Sequence, residues 1–144
     1  MANIDNPCDA EKDRPGAGSP ALPRKGIGKT MKIIDIDAVS GRHIDTPGMT
    51  RTIKDLLATD RMTAHLAVIP PGQSTSEHSH PLSEEIVYVV KGAVKCRVGE
   101  QIGELRPNCM LFVPVGAPHQ FTSTGSEDLI IFVVYSPPAE VPKK

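Results

Sequence analysis

His78 and His80 flank a single serine in EHSHPLSEEIVYVVKG, and Glu85 follows His80 at a distance of five residues. In an extended chain, residues two apart point to the same side, so both imidazoles can aim at one point while Ser79 faces away. Glu85 opens an apolar run in which Glu85, Val87 and Val89 share one face and Ile86, Tyr88 and Val90 share the other. A carboxylate turned into an apolar interior is costly unless a cation neutralises it. Two imidazoles and a carboxylate suit a borderline divalent ion such as iron, manganese, zinc, nickel or cobalt. His119 is offered as a fourth ligand, just beyond the turn PVGAP, in a run where His119, Phe121 and Ser123 share a face.

Ligands spread over more than forty residues need a scaffold that brings them together, and the surrounding sequence reads as one built from strands. MTAHLAVI runs into PPG, EIVYVVK into Gly92, AVKCRV into Gly99, MLFV into PVGAP, HQFTS into TGSED, and LIIFVVY into SPP. β-rich runs at roughly eight-to-twelve-residue spacing, closed by Gly, Pro, Asp and Ser, predict an all-β sandwich or small barrel. RTIKDLLA is the single helix candidate, and with Thr52 and Ile53 it could equally begin a strand. Residues 1–30, with RPGAGSPALPRKGIGKT, show no period of 2 or 3.6 and read as a flexible N-terminal arm. MKIIDIDAV then opens a folded domain, placed over residues 31–144.

These residues bring the chain into resemblance with the cupin superfamily. Its first motif is Gly, five residues, His-x-His, three or four residues, Glu, six residues, Gly, and Gly72, His78, His80, Glu85 and Gly92 match every fixed position. Glu84 is the rival carboxylate, but only Glu85 precedes Gly92 by the six-residue gap. Its second motif is Gly, five residues, Pro-x-Gly, two residues, His, three residues, Asn, and Pro114, Gly116 and His119 match it. Asn108 replaces the first Gly, a mild departure because Asn tolerates positive φ, and Ser123 replaces the final Asn. The resemblance covers residues 60 to 136 in detail and 31 to 144 in outline. It implies a double-stranded β-helix, or jelly-roll barrel, with one metal ion held by His78, His80, Glu85 and His119.

The bulk numbers narrow the partners. The 144 residues make one domain's worth of core. A net charge of -1 and a pI near 6.5 offer no field of one sign to nucleic acid or to an anionic membrane. Aromatic residues at 3% give no stacking platform for bases; Tyr88, Phe112, Phe132 and Tyr135 read as core or interface residues. No apolar run approaches the ~20 residues of a membrane span and the first segment lacks a secretory signal, so a cytoplasmic location is expected. Cys8, Cys96 and Cys109 suggest neither a disulfide framework nor a thiolate zinc site. His65 could face the pocket as a base or donor, although a lone strand His is more often structural. His43 lies in a loop-like stretch, and Arg51 and Arg97, which could receive an anion, stay outside the predicted site because alternation places Lys95 and Arg97 on a solvated face.

Three imidazoles and a carboxylate leave up to two positions on an octahedral ion for water, oxygen or a chelating substrate, which separates a catalytic from a structural site. The first reading is therefore a metalloenzyme acting on a small oxygenated organic molecule. Dioxygen-dependent oxidation on iron is placed first; with manganese, zinc or nickel the ion would instead polarise a carbonyl for isomerisation, cyclisation or elimination. Glu85 could also move a proton as the catalytic carboxylate. The alternative is a module that binds or senses a small metabolite without converting it, and a storage role fits poorly with a complete ligand set. Because strand edges need cover and family members commonly pair through them, a homodimer is the default.

Overall fold

The computed structural model describes residues 29–139, so the arm expected over residues 1–30 lies, but for Lys29 and Thr30, outside the described residues. Nine strands follow one short 3-10 turn, Ile36–Ala38. They are β1 Arg42–Ile44, β2 Arg51–Ala58, β3 Thr63–Ile69, β4 Glu84–Lys91, β5 Val94–Val98, β6 Gln101–Leu105, β7 Met110–Val113, β8 His119–Ser123 and β9 Leu129–Ser136. Every named pairing is antiparallel. A six-stranded sheet runs β1-β2-β3-β9-β4-β7 and a three-stranded sheet runs β6-β5-β8. The expected jelly-roll barrel is the observed architecture, two sheets closing over one core.

Alternation builds that core. Val87 and Val89 from β4, Phe121 from β8, and Leu129, Ile131 and Val133 from β9 all turn inward, while their sequence neighbours face out or sit half-buried. Each fully buried aliphatic side chain contributes about 1.5–3 kcal/mol, so this shared apolar layer fixes the register of both sheets.

Where sequence and structure part, packing explains the difference. RTIKDLLA is strand β2, not a helix: Arg51 and Ile53 point inward, and the run pairs with β3 from Thr52 opposite Val68 to Ala58 opposite Thr63. A β-bulge between Asp55 and Leu57 shifts the alternation so that Leu56 is buried, which erases the simple period of two. QIGEL is strand β6, which the sequence hides because Gly103 interrupts the run and Ile102 points to solvent. RHI, a loop-like stretch by sequence, is the short edge strand β1. MKIIDIDAV contains only the 3-10 turn, which the Asp35 carboxylate caps by accepting from the Asp37 N–H at 3.1 Å.

Gly92 closes β4 and turns the chain toward the second sheet. Its φ is +87°, and a Cβ there would stand 2.7 Å from the Asp128 carbonyl oxygen and 2.8 Å from the Leu129 Cα. Both obstacles are backbone, so no rotamer change relieves them. Gly92→Ala is expected to lower the unfolding free energy by about 2 kcal/mol or more in urea titrations, from the left-handed strain and the clash together; an unchanged midpoint would show that the turn relaxes freely.

Candidate metal centre

His78 and His119 are held together by backbone before their side chains meet. The His78 N–H donates to the His119 carbonyl at 3.1 Å and the His119 N–H donates to the His78 carbonyl at 2.8 Å. The segment carrying His78 is not a full strand; isolated bridges pair Ser74 with Thr122 and His78 with His119, so it lies along β8 as a short extra edge. Thr75 locks this edge, donating its N–H to the Phe121 carbonyl at 2.8 Å and accepting the Phe121 N–H on Oγ1 at 3.0 Å. The His80 carbonyl accepts from the N–H of Gly116 at 2.9 Å, which ties the second histidine to the turn before His119. Glu85 sits in the six-stranded sheet between Val113 of β7 and Tyr135 of β9.

These ties bring the four expected ligands together: one ligand atom from each of His78, His80, Glu85 and His119 lies within 4.8 Å of the others. An ion about 2.1 Å from each ligand would ask for separations of about 3 Å between adjacent ligands and about 4.2 Å between opposite ones, close to what is seen. Glu85 and His119 are 2% and 1% exposed. The Glu85 Oε2 lies 2.8 Å from the His119 Nε2 and 3.6 Å from the His80 Nε2. None of these three atoms has a well-formed hydrogen bond. The short contact is thus one between groups aimed at a common point, and a divalent cation at that point would satisfy all three.

The tautomers agree. The Nδ1 of His78 faces the Ser76 carbonyl at 2.8 Å and the Nδ1 of His119 faces the Ala117 carbonyl at 2.9 Å. A carbonyl only accepts, so each Nδ1 carries the proton and each Nε2 keeps a lone pair for metal. Burial holds His78 and His80 below the usual histidine range, as neutral ligands must be. For His119 burial acts in the same direction, but contact with the Glu85 carboxylate outweighs it and the balance is raised.

The wall around the ligands contains residues that sequence reasoning left out. A cavity of about 30 Å³ beside the ligands is lined by Arg51, His65, Thr75 and Tyr135 over an apolar floor that includes Ile53 and Phe121. His65 does face this cavity. Arg51, set aside in the sequence reading, is buried and points inward, whereas Arg97 is exposed and paired with Glu77. Tyr135, read as core, packs its ring 4.4 Å from that of His80 and 5.5 Å from that of His65. Burial raises its phenol far above the usual range, so it stays an O–H. Alternation along β2, β3 and β9 was the available signal for all three, but which face is inner depends on the bulge in β2 and on strand order. His43 is exposed on β1, with Nδ1 3.2 Å from the Thr52 Oγ1, and Glu84 is exposed as expected. Asn108 adopts φ 68°, and Ser123 is buried with an Oγ that has no hydrogen-bond partner.

Comparison with known proteins places this geometry among relatives. A model of the cupin domain matches residues 65–135. The chain is 38% identical over 77 residues to the polyketide synthase CurC of Streptomyces cyaneus, covering 54% of this chain and 50% of that protein. It spans about half the length of CurC and of two further curated relatives. It is 32% identical over 108 residues to the uncharacterized protein SCO3923 of Streptomyces coelicolor, covering 75% of this chain and 98% of that one. Among solved structures, the polyketide cyclase RemF from Streptomyces resistomycificus superposes with a TM-score of 0.65 at 24% identity, over 75% of this chain and 80% of that one, a likeness of fold. No helix among the described residues is long and apolar enough to cross a membrane.

Burial of His65 has a measurable consequence. Its imidazole is pushed down to about 4, chiefly by burial, against an unfolded value near 6.5. Between those values the unfolded chain binds a proton that the folded chain does not, so stability falls as pH drops through this window. His65→Gln removes that contribution. Urea unfolding at pH 7 and pH 4.5 is expected to show a smaller loss for the variant than for the wild type; equal losses would mean that His65 is solvated in solution.

Proposed function

Because the chain belongs to the cupin superfamily, we propose that it is a metalloenzyme in which one divalent transition-metal ion, held by His78, His80, Glu85 and His119, acts on a polyketide-derived phenol or β-diketone. The observation that carries this reading is the buried Glu85 carboxylate facing imidazole nitrogens with which it forms no proper hydrogen bond. The likeness to polyketide-associated proteins supports the substrate class.

When bound, the ion would supply Lewis acidity toward a substrate oxygen, or a dioxygen site if it is iron. The remaining roles belong to side chains of this chain. Thr75 and Arg51 bring polar hydrogen to the cavity beside a largely apolar floor, which orients an oxygenated substrate edge and keeps bulk water out. Tyr135, kept protonated by burial, can donate to a developing enolate. Glu85 is the carboxylate placed to accept and return a proton. Proton donors around one carboxylate suit proton transfer, and so favour cyclisation, isomerisation or elimination over oxidation. Dioxygen chemistry is the competing outcome, and simple binding of a metabolite the other.

Elemental analysis of untagged protein purified without oxygen or chelator is expected to find about one equivalent of metal, lost in the His78→Ala/His80→Ala variant. Iron would transfer the reading to dioxygen chemistry, and no metal, even after titration, would leave a metabolite-binding module. Glu85→Gln should retain metal in part and lose turnover of an aromatic β-polyketone by at least ~100-fold; full turnover in that variant would remove Glu85 from the chemistry.

The proposal extends to a homodimer. Ile86, Tyr88, Val90, Met110 and Phe112 are exposed on the outer face of β4 and β7, and β7 ends the six-stranded sheet, so an apolar face adjoins an edge that no described strand pairs. A second copy covers both by two-fold pairing. Light scattering should give twice the 15.5 kDa chain mass, reduced to one chain by Ile86→Lys/Phe112→Glu; a monomeric wild type would end this part of the proposal.

A further inference from the structure

His65 belongs to two cavities at once. One is the chamber of about 30 Å³ beside His78 and Glu85. The other is a cleft of about 500 Å³ along β2 and β3, lined by Lys32, Arg42, Asp55, Leu57 and Ala58 among others, with His65 common to both linings. The two volumes differ in kind. The inner chamber holds about one water molecule, hence one or two heavy atoms of a ligand. The outer cleft is in the range of sites that take a whole organic molecule.

His65 is 5% exposed as a residue, forms no side-chain hydrogen bond with the described residues, and is not among the residues with a fully buried, unpaired polar atom, so its ring nitrogens keep access to the cavities it lines. Its ring is flanked instead by Tyr135, at 5.5 Å between centroids. An imidazole that opens onto a cavity without a protein partner has its donor and its acceptor available to a ligand there. Burial keeps it neutral, so it offers one N–H and one lone pair. The cleft beside it is mixed: Leu56, Leu57, Ala58 and Ala64 are apolar, while Arg42 and Asp55 face each other as a two-bond ion pair at 2.6 and 3.2 Å.

We propose that His65 is a substrate-binding residue at the partition between these cavities, holding a fused-ring phenol or enolised β-diketone whose ring body lies in the outer cleft and whose oxygen enters the inner chamber. The apolar cleft residues accept the flat rings. A hydroxyl and a neighbouring carbonyl on the same ring edge match the donor and acceptor of a neutral imidazole. The inner chamber admits the oxygen and excludes the rings, so it selects what reaches His78, His80, Glu85 and His119. This deepens the substrate class proposed above and rests on that reading for the metal, while the partition itself rests on His65 and the two cavities.

The test is calorimetric titration of 1,8-dihydroxyanthraquinone, a tricyclic phenol with hydroxyl and carbonyl oxygens on one edge, into the full-length zinc-loaded protein. Zinc content and the thermal midpoint are measured for every variant. Saturable binding to the wild type is expected, weakened at least ~10-fold by His65→Ala and largely restored in His65→Gln, which keeps a donor and an acceptor. Ala58→Trp, an exposed change that narrows the outer cleft alone, is expected to weaken binding similarly with zinc content unchanged. If His65→Ala does not fold, His65→Gln and Ala58→Trp decide, the first binding near the wild-type level and the second weakly.

Absence of saturable binding to the wild type overturns the proposal, as does binding that neither His65→Ala nor Ala58→Trp alters. Failure of the metal reading looks different: no zinc is taken up by any form, yet the anthraquinone still binds and still responds to His65→Ala and Ala58→Trp, which upholds the partition. Full zinc uptake with affinities indifferent to both variants removes the partition and leaves the metal centre standing.

Discussion

A carboxylate that is 2% exposed on the inner face of a β-sheet is costly to bury unless nearby groups offset its charge, and Glu85 is in that position. Its sequence neighbours Val87 and Val89 pack into the core on the same face, so the strand cannot rotate to return Glu85 to water without exposing them. The sheet therefore imposes the charge on the interior, and three imidazoles converge on it from other parts of the chain. A divalent metal ion held by these four side chains would resolve the electrostatic problem that the fold creates. Removing the ion while leaving Glu85 ionised would return the full desolvation cost, which links ligation to stability as well as to chemistry.

The precision of the centre comes from backbone rather than from side chains. Reciprocal hydrogen bonds between His78 and His119 fix two ligands as a cross-strand pair, although forty-one positions separate them in sequence. Carbonyls of Ser76 and Ala117 then fix both tautomers, each from a residue two positions earlier. Such local partners cost little ordering entropy beyond what the strand pairing has already imposed. The same ties run through Thr75 to Phe121, so the apolar floor is bonded to the segment that carries the ligands.

The legible parts of this protein were those whose signal is local. The cluster of four side chains could be read because His-x-His and the Glu-to-Gly gap lie within one short stretch and His119 follows its own local Pro-x-Gly turn, and the inward faces of β4 and β8 followed from alternation. The wall was not legible for a matching reason. Arg51 and His65 come from the consecutive strands β2 and β3 but Tyr135 comes from β9, far along the chain, and the three meet only through the order β2-β3-β9. No single stretch shows which of their faces is inner, and in β2 the bulge after Asp55 breaks the alternation that would have indicated it. Arg51 was left outside the site together with Arg97, although the alternation argument bore on Arg97 alone; Arg51 is buried and turned inward. QIGEL was missed because Gly103 and an outward Ile102 remove both propensity and pattern.

The burial that hid this wall also sets its chemistry. Desolvation disfavours the charged form of any group, so it moves a histidine and a tyrosine in opposite directions and leaves both neutral. His65 is pushed down and Tyr135 is pushed up, and each retains a proton it can share without carrying a charge. The formal charges lining the inner chamber are then few: the Glu85 carboxylate and the Arg51 guanidinium, with the ligand imidazoles neutral or shared with Glu85. In a chamber of about 30 Å³ with so little competing charge, an ion's field acts on the one oxygen that fits rather than on solvent. Under the proposed function the barrel would divide the work, with backbone-tied ligands holding the ion that supplies the field and buried donors deciding which oxygen meets it.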